Sequence, residues 1–329
     1  MKVLVTTIPF GNMNSEPLDL LDENNIEYVI NPLNRKLQPG ELSEMVSDFD
    51  AVIAGTEEIN QEVFSRGKNL RFISRVGIGV DSVNLNAAKE NGVKVSYTPD
   101  APAPAVAELT IGLMLSLARS ISKSNTNFLN GKWERYFGYR LSEMNIGIVG
   151  GGRIGRRVIN HLSGFSPKNI FINDINATSL SDLGDTVTVC SKEYIYEHSD
   201  VISLHVPLTS KTHNMITKAE LEKMKDHAYI INTSRGGIIN EEDLFNALED
   251  GVIAGAAVDT YEQEPYFGKL SHCSNCINTA HMGSMTLDCR STMEIEATKE
   301  VIRFLKGEPL LSEVPQSEYS AQLLFGESK

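Results

Sequence analysis

The chain has 329 residues, of which 41% are hydrophobic and 22% are charged, as is typical of soluble globular proteins. Its formal net charge of -13 argues against binding to nucleic acid or to an anionic membrane. No apolar run approaches the length of a membrane span, and the N-terminus resembles a first strand rather than a signal peptide. We therefore expect a cytoplasmic protein with no membrane partner.

The first hundred residues alternate between short β-rich runs and helical patterns, beginning with residues 3–8 and ending with residues 93–96. Such alternation predicts a parallel sheet that is covered by helices. The sequence Gly77-Ile78-Gly79 follows one of these runs. It either presents backbone N–H groups to an anion, such as a substrate carboxylate, or forms a plain turn between strand and helix.

Residues 99–104 contain three prolines and form the clearest linker-like segment. A long helical pattern follows over about residues 105–129, in which Leu109, Leu113 and Leu117 recur every four residues. This spacing indicates a helix face that is buried or lies at an interface.

A glycine fingerprint lies near the middle of the chain, after the apolar run 146–149. Gly150, Gly152 and Gly155 have the G-x-G-x-x-G spacing, in which they permit a tight turn, the approach of a pyrophosphate and close packing of the next helix. Asp174 follows a second strand-like run and could bind ribose hydroxyls. The pattern predicts a dinucleotide site; the alternative is a glycine-rich turn in an α/β domain that binds no nucleotide.

The remaining chain continues the alternation of strands and helices up to a last helical pattern at about residues 287–305. This pattern predicts a doubly wound α/β domain with ligand groups at the C-terminal ends of its strands. Residues 312–329 are polar and weakly periodic, which predicts a tail.

Polar residues follow several of these predicted strands. Arg235 offers a charged fork for a carboxylate, and Asp259, Glu264 and His281 follow later strands. Individually, Arg235 could be a surface cation and Asp259 a helix cap. Glu264 could be a solvated carboxylate and His281 a turn histidine. Together they form a set suited to interconverting a carbonyl and an alcohol.

The chain has four cysteines, too few for a disulfide scaffold of this size. Cys273 and Cys276 form a C-x-x-C pair, but a second ligand pair with metal-site spacing is missing. We predict no metal site and ordinary thiols.

Taken together, these motifs resemble those of the D-isomer-specific 2-hydroxyacid dehydrogenases, in the branch that contains phosphoglycerate dehydrogenase. The resemblance covers nearly the whole chain in the family's order. It rests on residues 75–81, 106–108 and 131–133, the glycine fingerprint, residues 205–209 and 232–237, Asp259, Glu264-Pro265 and His281.

The resemblance implies two Rossmann-like doubly wound parallel-sheet domains, the first of them discontinuous. Residues 1–100 plus 288–329 would bind substrate, and residues 101–287 would bind NAD. It also implies a homodimer that pairs through its nucleotide domains, with the long helix from Ala105 at the contact.

The resemblance further implies site residues. The catalytic trio would be Arg235, Glu264 and His281. Substrate contacts would fall on Arg75, Val76, Gly77 and Ile78. Cofactor contacts would fall on Gly150, Gly152, Arg153, Ile154, Gly155, Asp174, Val206, Pro207, Thr233, Ser234 and Asp259.

The implied reaction transfers a hydride between nicotinamide and C2 of a 2-oxo or D-2-hydroxy acid, with His281 exchanging the proton, Glu264 orienting it and Arg235 binding the carboxylate. Asp174 would repel a 2′-phosphate, and residues 175–179 contain no Arg or Lys to bind one. The cofactor is therefore predicted to be NAD(H) rather than NADP(H).

The substrate is less closely defined. Where phosphoglycerate enzymes commonly carry basic residues, residues 54–60 contain Glu57 and Glu58 and no cation. The loop at residues 97–102 also departs from the family's usual Asn- and Gly-containing loop. Unless both glutamates are simply solvated, these departures weaken 3-phosphoglycerate as the substrate. The alternatives are an NADH-binding corepressor and a phosphite-oxidising member of the same superfamily.

Overall fold

The computed structural model describes residues 1–176, 183 and 186–326, with side chains described up to residue 322. The chain divides into two compact units. The first joins Met1–Pro102 to Met285–Lys329, and the second is Ala103–Ser284. The sequence placed the two breaks after residues 100 and 287. The assignment of substrate to one unit and NAD to the other remains a prediction.

The first unit is built on a five-stranded parallel sheet with the order β2-β1-β3-β4-β5. Its third and fourth strands are buried along their whole length, as apolar runs between two helical layers should be. Asparagine side chains cap two of its helices by accepting backbone N–H groups of the first turn. The strands are β1 (Lys2–Val5), β2 (Glu27–Ile30), β3 (Ala51–Ala54), β4 (Phe72–Arg75) and β5 (Lys94–Ser96), and the helices are α1 (Glu16–Glu23), α2 (Glu41–Met45), α3 (Gln61–Arg66) and α4 (Leu85–Glu90).

The second unit contains a seven-stranded parallel sheet with the order β12-β11-β10-β9-β6-β7-β8. Strand order reverses at β6, so the carboxyl ends of β6 and β9 lie at the position where doubly wound sheets bind ligands. Its helices are α5 (Pro102–Ala118), α6 (Ile121–Leu129), α7 (Arg153–Ser163), α8 (Lys192–His198), α9 (Lys218–Leu221) and α10 (Glu241–Glu249). Its strands are β6 (Asn145–Val149), β7 (Asn169–Asn173), β8 (Val187–Val189), β9 (Val201–Leu204), β10 (Tyr229–Asn232), β11 (Gly255–Val258) and β12 (Cys276–Asn278). The predicted pair of doubly wound α/β folds is confirmed.

The predicted single helix over residues 105–129 is wrong in two respects. It is broken between α5 and α6, where Ser120 adopts a left-handed conformation with φ 51° and the axis bends by 65°. It also begins earlier, because Pro102 and Pro104 occupy the first turn of α5, where a helix needs no N–H from them. No single helix of the described residues is long and apolar enough to cross a membrane, although the bent pair passes by length and composition.

The predicted tail at residues 312–329 is also wrong over the described residues. After α11 (Leu287–Lys306), the helix α12 (Gln316–Gly326) packs on the first unit. Tyr319 is buried, and the Gln322 amide donates to the carbonyls of Val80 and Val83 and accepts from the Leu85 N–H. Tyr319 and Gln322 therefore hold the described part of this helix against α4 and the segment that precedes it.

Candidate active site and cofactor-binding loop

The glycine fingerprint forms the turn between β6 and α7. Gly150 has φ 105°, and a Cβ there would lie 2.3 Å from the His205 carbonyl oxygen. A Cβ on Gly155 would lie 2.0 Å from the Gly150 carbonyl oxygen, so close packing of helix on strand requires both glycines. By contrast, no atom of the described residues, apart from the chain neighbours, lies within 4 Å of a Cβ on Gly152, the residue that precedes α7.

This open position lies at the N-terminus of α7, an eleven-residue helix whose first residues are Arg153 and Ile154. Helix N-termini favour anions because their first N–H groups lack partners within the helix. The space above Gly152 therefore fits a pyrophosphate, and the loop fits the NAD that the sequence predicts.

Asp174 follows β7 and lies against the same loop. Its Oδ2 accepts the Gly151 N–H at 2.7 Å, and its Oδ1 accepts the Asn176 N–H at 2.7 Å. Each carboxylate oxygen can accept a second hydrogen bond, so the residue can still receive ribose hydroxyls. Residues 177–179, part of the argument against NADP, lie outside the described residues.

Two neighbouring strands place the other predicted cofactor contacts. Val206 and Pro207 follow β9, and a Cβ on Gly150 would lie 3.1 Å from Val206 Cγ1. Thr233 and Ser234 follow β10 and are buried. The Thr233 hydroxyl bonds the Thr110 hydroxyl at 2.9 Å, which ties the end of this strand to α5.

Arg235 comes next in the chain, and Asn232 shapes its turn. The Asn232 amide donates to the Arg235 carbonyl oxygen at 2.8 Å and accepts from the Ser234 N–H and hydroxyl. The Arg235 guanidinium donates to the Ser234 carbonyl oxygen at 2.6 Å. The adjacent Gly236 packs on the backbone of Tyr261, where a Cβ would lie 1.9 Å from the Tyr261 carbonyl carbon.

Glu264 and His281, which are 17 residues apart in the chain, meet in the second unit. Both Glu264 carboxylate oxygens lie 2.9 Å from His281 Nδ1. The two side chains are 29% and 40% exposed, so the pair is open to small molecules. Because an ionised carboxylate only accepts hydrogen bonds, Nδ1 carries the proton between them and Nε2 is the nitrogen left for exchange.

Asp259 shapes the turn that carries His281. Its carboxylate is buried and accepts from the Thr279 hydroxyl at 2.6 Å and from the N–H groups of Met282 and Gly283, each at 2.9 Å. The Asp259 carbonyl accepts the His281 N–H at 2.8 Å, and His281 itself has φ 48°. These bonds hold the histidine in its left-handed conformation.

The predicted substrate segment lies in the first unit, after β4. The Val76 N–H donates to the Ala54 carbonyl at 2.9 Å, and the Gly77 N–H donates to the Thr98 hydroxyl at 2.7 Å. The guanidinium of the buried Arg75 donates to the Val76 carbonyl.

Glu57 and Glu58 follow β3 in the same unit and differ from each other. Glu58 is exposed, but Glu57 is only 6% exposed. Its Oε1 accepts from the Thr6 hydroxyl and, at 3.0 Å, from the Gly55 N–H. The possibility that both glutamates are simply solvated is therefore wrong for Glu57.

The C-x-x-C pair leads into β12, with Cys273 in the preceding turn and Cys276 as the first residue of the strand. Burial raises the pKa of Cys276 to about 12 and also raises the pKa of Cys273, so both thiols stay protonated near neutral pH. Among the residues that the structure describes, no group of three or more His, Cys, Asp or Glu could hold a metal ion.

Sequence reasoning missed two contributions to the site. The resemblance predicts that Asp259 contacts the cofactor, whereas the hydrogen bonds of its carboxylate in the structure go to the histidine turn. Glu241, the first residue of α10, accepts the Glu262 N–H, a contact that the sequence does not predict. An acceptor that serves a backbone group 21 residues away leaves no local pattern in the sequence.

Comparisons with known proteins agree with this architecture. Residues 111–283 match the family model described as "D-isomer specific 2-hydroxyacid dehydrogenase, NAD binding domain". A hydroxypyruvate reductase of Thermotoga maritima is 34% identical over 89% of this chain and 93% of its own length. A D-3-phosphoglycerate dehydrogenase of Methanocaldococcus jannaschii is 32% identical over 94% of this chain but only 58% of its own length.

Solved structures show the same similarity. The TT0316 protein from Thermus thermophilus has a TM-score of 0.87 at 30% identity and covers 96% of this chain and 100% of its own. A glyoxylate reductase from Paecilomyes thermophila has a TM-score of 0.83 at 28% identity, and the match covers 96% of this chain and 99% of that protein. With the glycine loop and the family model, these matches show that the chain belongs to the D-isomer-specific 2-hydroxyacid dehydrogenases and is an NAD-dependent oxidoreductase of that family.

Proposed function

We propose that this enzyme interconverts a small 2-oxo acid and its D-2-hydroxy acid with NAD(H), and that Arg235, Glu264 and His281 are its catalytic residues. The observation that carries the proposal is the contact of both Glu264 oxygens with His281 Nδ1 at 2.9 Å. An imidazole held in this way by a carboxylate is suited to exchange a proton through its other nitrogen.

NADH held by the glycine loop and Asp174 would supply the hydride for the carbonyl carbon of the oxo acid. His281 Nε2 donates the proton to the carbonyl oxygen, and Glu264 stabilises the imidazolium before the transfer. Arg235 binds the substrate carboxylate through its planar fork and polarises the carbonyl. In the direction of oxidation, neutral His281 accepts the hydroxyl proton. The carboxylate of Asp174 supports NAD over NADP, because it would repel a 2′-phosphate.

We propose an unphosphorylated substrate of the size of glyoxylate or hydroxypyruvate, rather than the phosphorylated acid of a phosphoglycerate dehydrogenase. The Glu57 carboxylate is buried at the carboxyl end of β3 and has no cationic partner among the described residues. A negative charge there would disfavour a phosphate dianion. Relatives named glyoxylate reductase and hydroxypyruvate reductase are consistent with this choice.

We also propose that the enzyme is a cytoplasmic homodimer. The long helix α5 is mostly packed inside its own unit, through Met114 and Leu117 among others. Large exposed apolar residues instead concentrate just after it, including Phe128 at 61% and Trp133 at 81% exposure. Exposed apolar patches commonly mark interfaces, so we place the contact at residues 121–139. Analytical ultracentrifugation of the wild type and of Trp133→Ser tests this proposal. We expect a dimeric wild type and a weakened dimer in the variant, and the proposal is refuted if both proteins sediment as monomers.

The decisive experiment follows the loss of NADH absorbance with glyoxylate, hydroxypyruvate, 3-phosphohydroxypyruvate and 2-oxoglutarate. We expect turnover on one of the first two acids and its loss in His281→Ala. Fastest turnover of 3-phosphohydroxypyruvate would overturn the choice of substrate. Binding of NADH without turnover on any acid would overturn the catalytic proposal and favour a binding protein.

A further inference from the structure

The segment that carries Glu264 is held from two sides. It runs from the end of β11 through Tyr261 and Glu262 to Glu264. On one side lies Gly236, where a Cβ would be 1.9 Å from the Tyr261 carbonyl carbon and 2.3 Å from the Glu262 nitrogen. Such contacts leave no room for any side chain at Gly236. The backbone of this segment therefore lies directly on the residue that follows Arg235.

On the other side lies Glu241, the first residue of α10. Its Oε1 accepts the Glu262 N–H at 2.8 Å. The Glu241 side chain is half-buried, and its pKa is raised by burial and by the nearby negative charges of Glu262 and Glu264. The bond to the Glu262 N–H is therefore the contact by which Glu241 holds this segment.

A third bond closes the segment on itself. The Tyr261 N–H donates to Glu264 Oε1 at 3.2 Å, the same oxygen that lies 2.9 Å from His281 Nδ1. The position of the Glu264 carboxylate therefore depends on the backbone at residues 261 and 262. That backbone depends in turn on Gly236 and Glu241.

We propose that Glu241 is a positioning residue, which holds the 261–262 backbone against Gly236 and so sets the Glu264 carboxylate where it meets His281. Glu241 touches no reacting atom in this role. The inference rests on the proposed function, in which Glu264 and His281 exchange the substrate proton.

The neighbouring Glu242 provides a matched control. It lies in the same first turn of α10 and has the same charge, so both residues interact alike with the helix dipole. Its carboxylate is exposed and pairs instead with Lys269 at 2.5 Å. Loss of Glu242 removes a surface ion pair and leaves the Glu264 segment untouched.

The test compares Glu241→Ala, Glu241→Gln and Glu242→Ala in the full chain, with glyoxylate or hydroxypyruvate as substrate. In Glu241→Ala we expect kcat to fall by up to about a hundredfold, the effect of roughly 1 Å of misplacement, with NADH affinity unchanged. Glu241→Gln should stay within about fivefold of wild type, because an amide oxygen accepts the same N–H, though more weakly than a carboxylate. Glu242→Ala should match wild type.

Hydrogen exchange supplies a readout that does not depend on turnover. Backbone amides of residues 259–264 should exchange about tenfold faster or more in Glu241→Ala, the factor expected for a hydrogen bond to a charged acceptor, and at the wild-type rate in Glu242→Ala. Unchanged exchange in Glu241→Ala would overturn the proposal. So would faster exchange with unchanged kcat. If the wild type turns over no oxo acid, the proposed function fails, and the exchange rates still decide whether Glu241 holds the segment.

Discussion

Replacing Gly236 with alanine should inactivate the enzyme without unfolding it. The added Cβ would lie 1.9 Å from the Tyr261 carbonyl carbon, whereas real Cβ atoms essentially never come within 3.0 Å of such atoms. The backbone of the Glu264 segment must therefore move by about 1.1 Å, and displacements near 1 Å at a catalytic group cost about a hundredfold in rate. Gly236 lies in the turn between β10 and α10 and not in a strand, so the sheet should survive.

The assay measures kcat from the loss of NADH absorbance, with NADH affinity from fluorescence and folding from circular dichroism. Gly164→Ala is the control, since its Cβ would meet its nearest atom, the His161 carbonyl oxygen, at an ordinary 3.6 Å. We expect normal folding and NADH binding in both variants and a loss of kcat of about a hundredfold in Gly236→Ala alone. A Gly236→Ala enzyme with kcat within about threefold of wild type would refute the reasoning that this contact places Glu264.

Three further changes probe the same unit. Glu264→Gln retains an acceptor for His281 but removes its charge, so kcat should fall about a hundredfold; unchanged kcat would show that the carboxylate is dispensable. Asp259→Asn turns one buried acceptor into a donor facing an N–H group and should lower the free energy of unfolding by about 1–3 kcal/mol in urea titrations, with activity lost as the turn loosens; wild-type stability would contradict the bonds described. Burial lowers the pKa of His205 from 6.5 to about 3. Between these pH values the imidazole is protonated in the unfolded chain but neutral in the folded chain. The free energy of unfolding therefore falls as the pH falls through this range. The free energy of unfolding of the wild type should therefore be lower at pH 5 than at pH 7.5 by up to about 2 kcal/mol. His205→Gln has no imidazole to protonate and should not show this loss. Equal pH dependence of the two proteins would contradict the reasoning.

Much of the fold could be predicted from sequence because buried parallel strands are continuous apolar runs. The runs at β3 and β10 stand out between polar helical stretches, and strand ends predict where ligand groups gather. The same reasoning brings Arg235, Asp259, Glu264 and His281 together as candidates, and the family resemblance then identifies Glu264 as the partner of His281. The alternation of apolar runs with helical patterns was enough to predict that the sheets are parallel and covered by helices.

What could not be predicted depends on single long-range contacts. The break at Ser120 interrupts a leucine pattern that continues through it, and α12 is held by a Gln322 amide that reaches carbonyls more than 200 residues earlier. The sequence suggests that Glu57 is a surface carboxylate, whereas in the structure it is buried and accepts hydrogen bonds from Thr6 and Gly55. For α12 and Glu57, the distant partner that decides the outcome cannot be recognised from the neighbouring sequence.

The discontinuous first unit has a consequence for synthesis on the ribosome. Phe72 of β4 stacks on Phe304 of α11 at 4.5 Å, and the Ser74 hydroxyl donates to the Ala297 carbonyl oxygen, 223 residues later. At about 5–20 residues per second, translation of that interval takes on the order of 10 to 45 s. During this time β4 lacks its cover while all of Ala103–Ser284 emerges. All residues of the inserted unit are therefore synthesised before the first unit can be completed, and until then β4 exposes the apolar face that α11 covers in the folded protein.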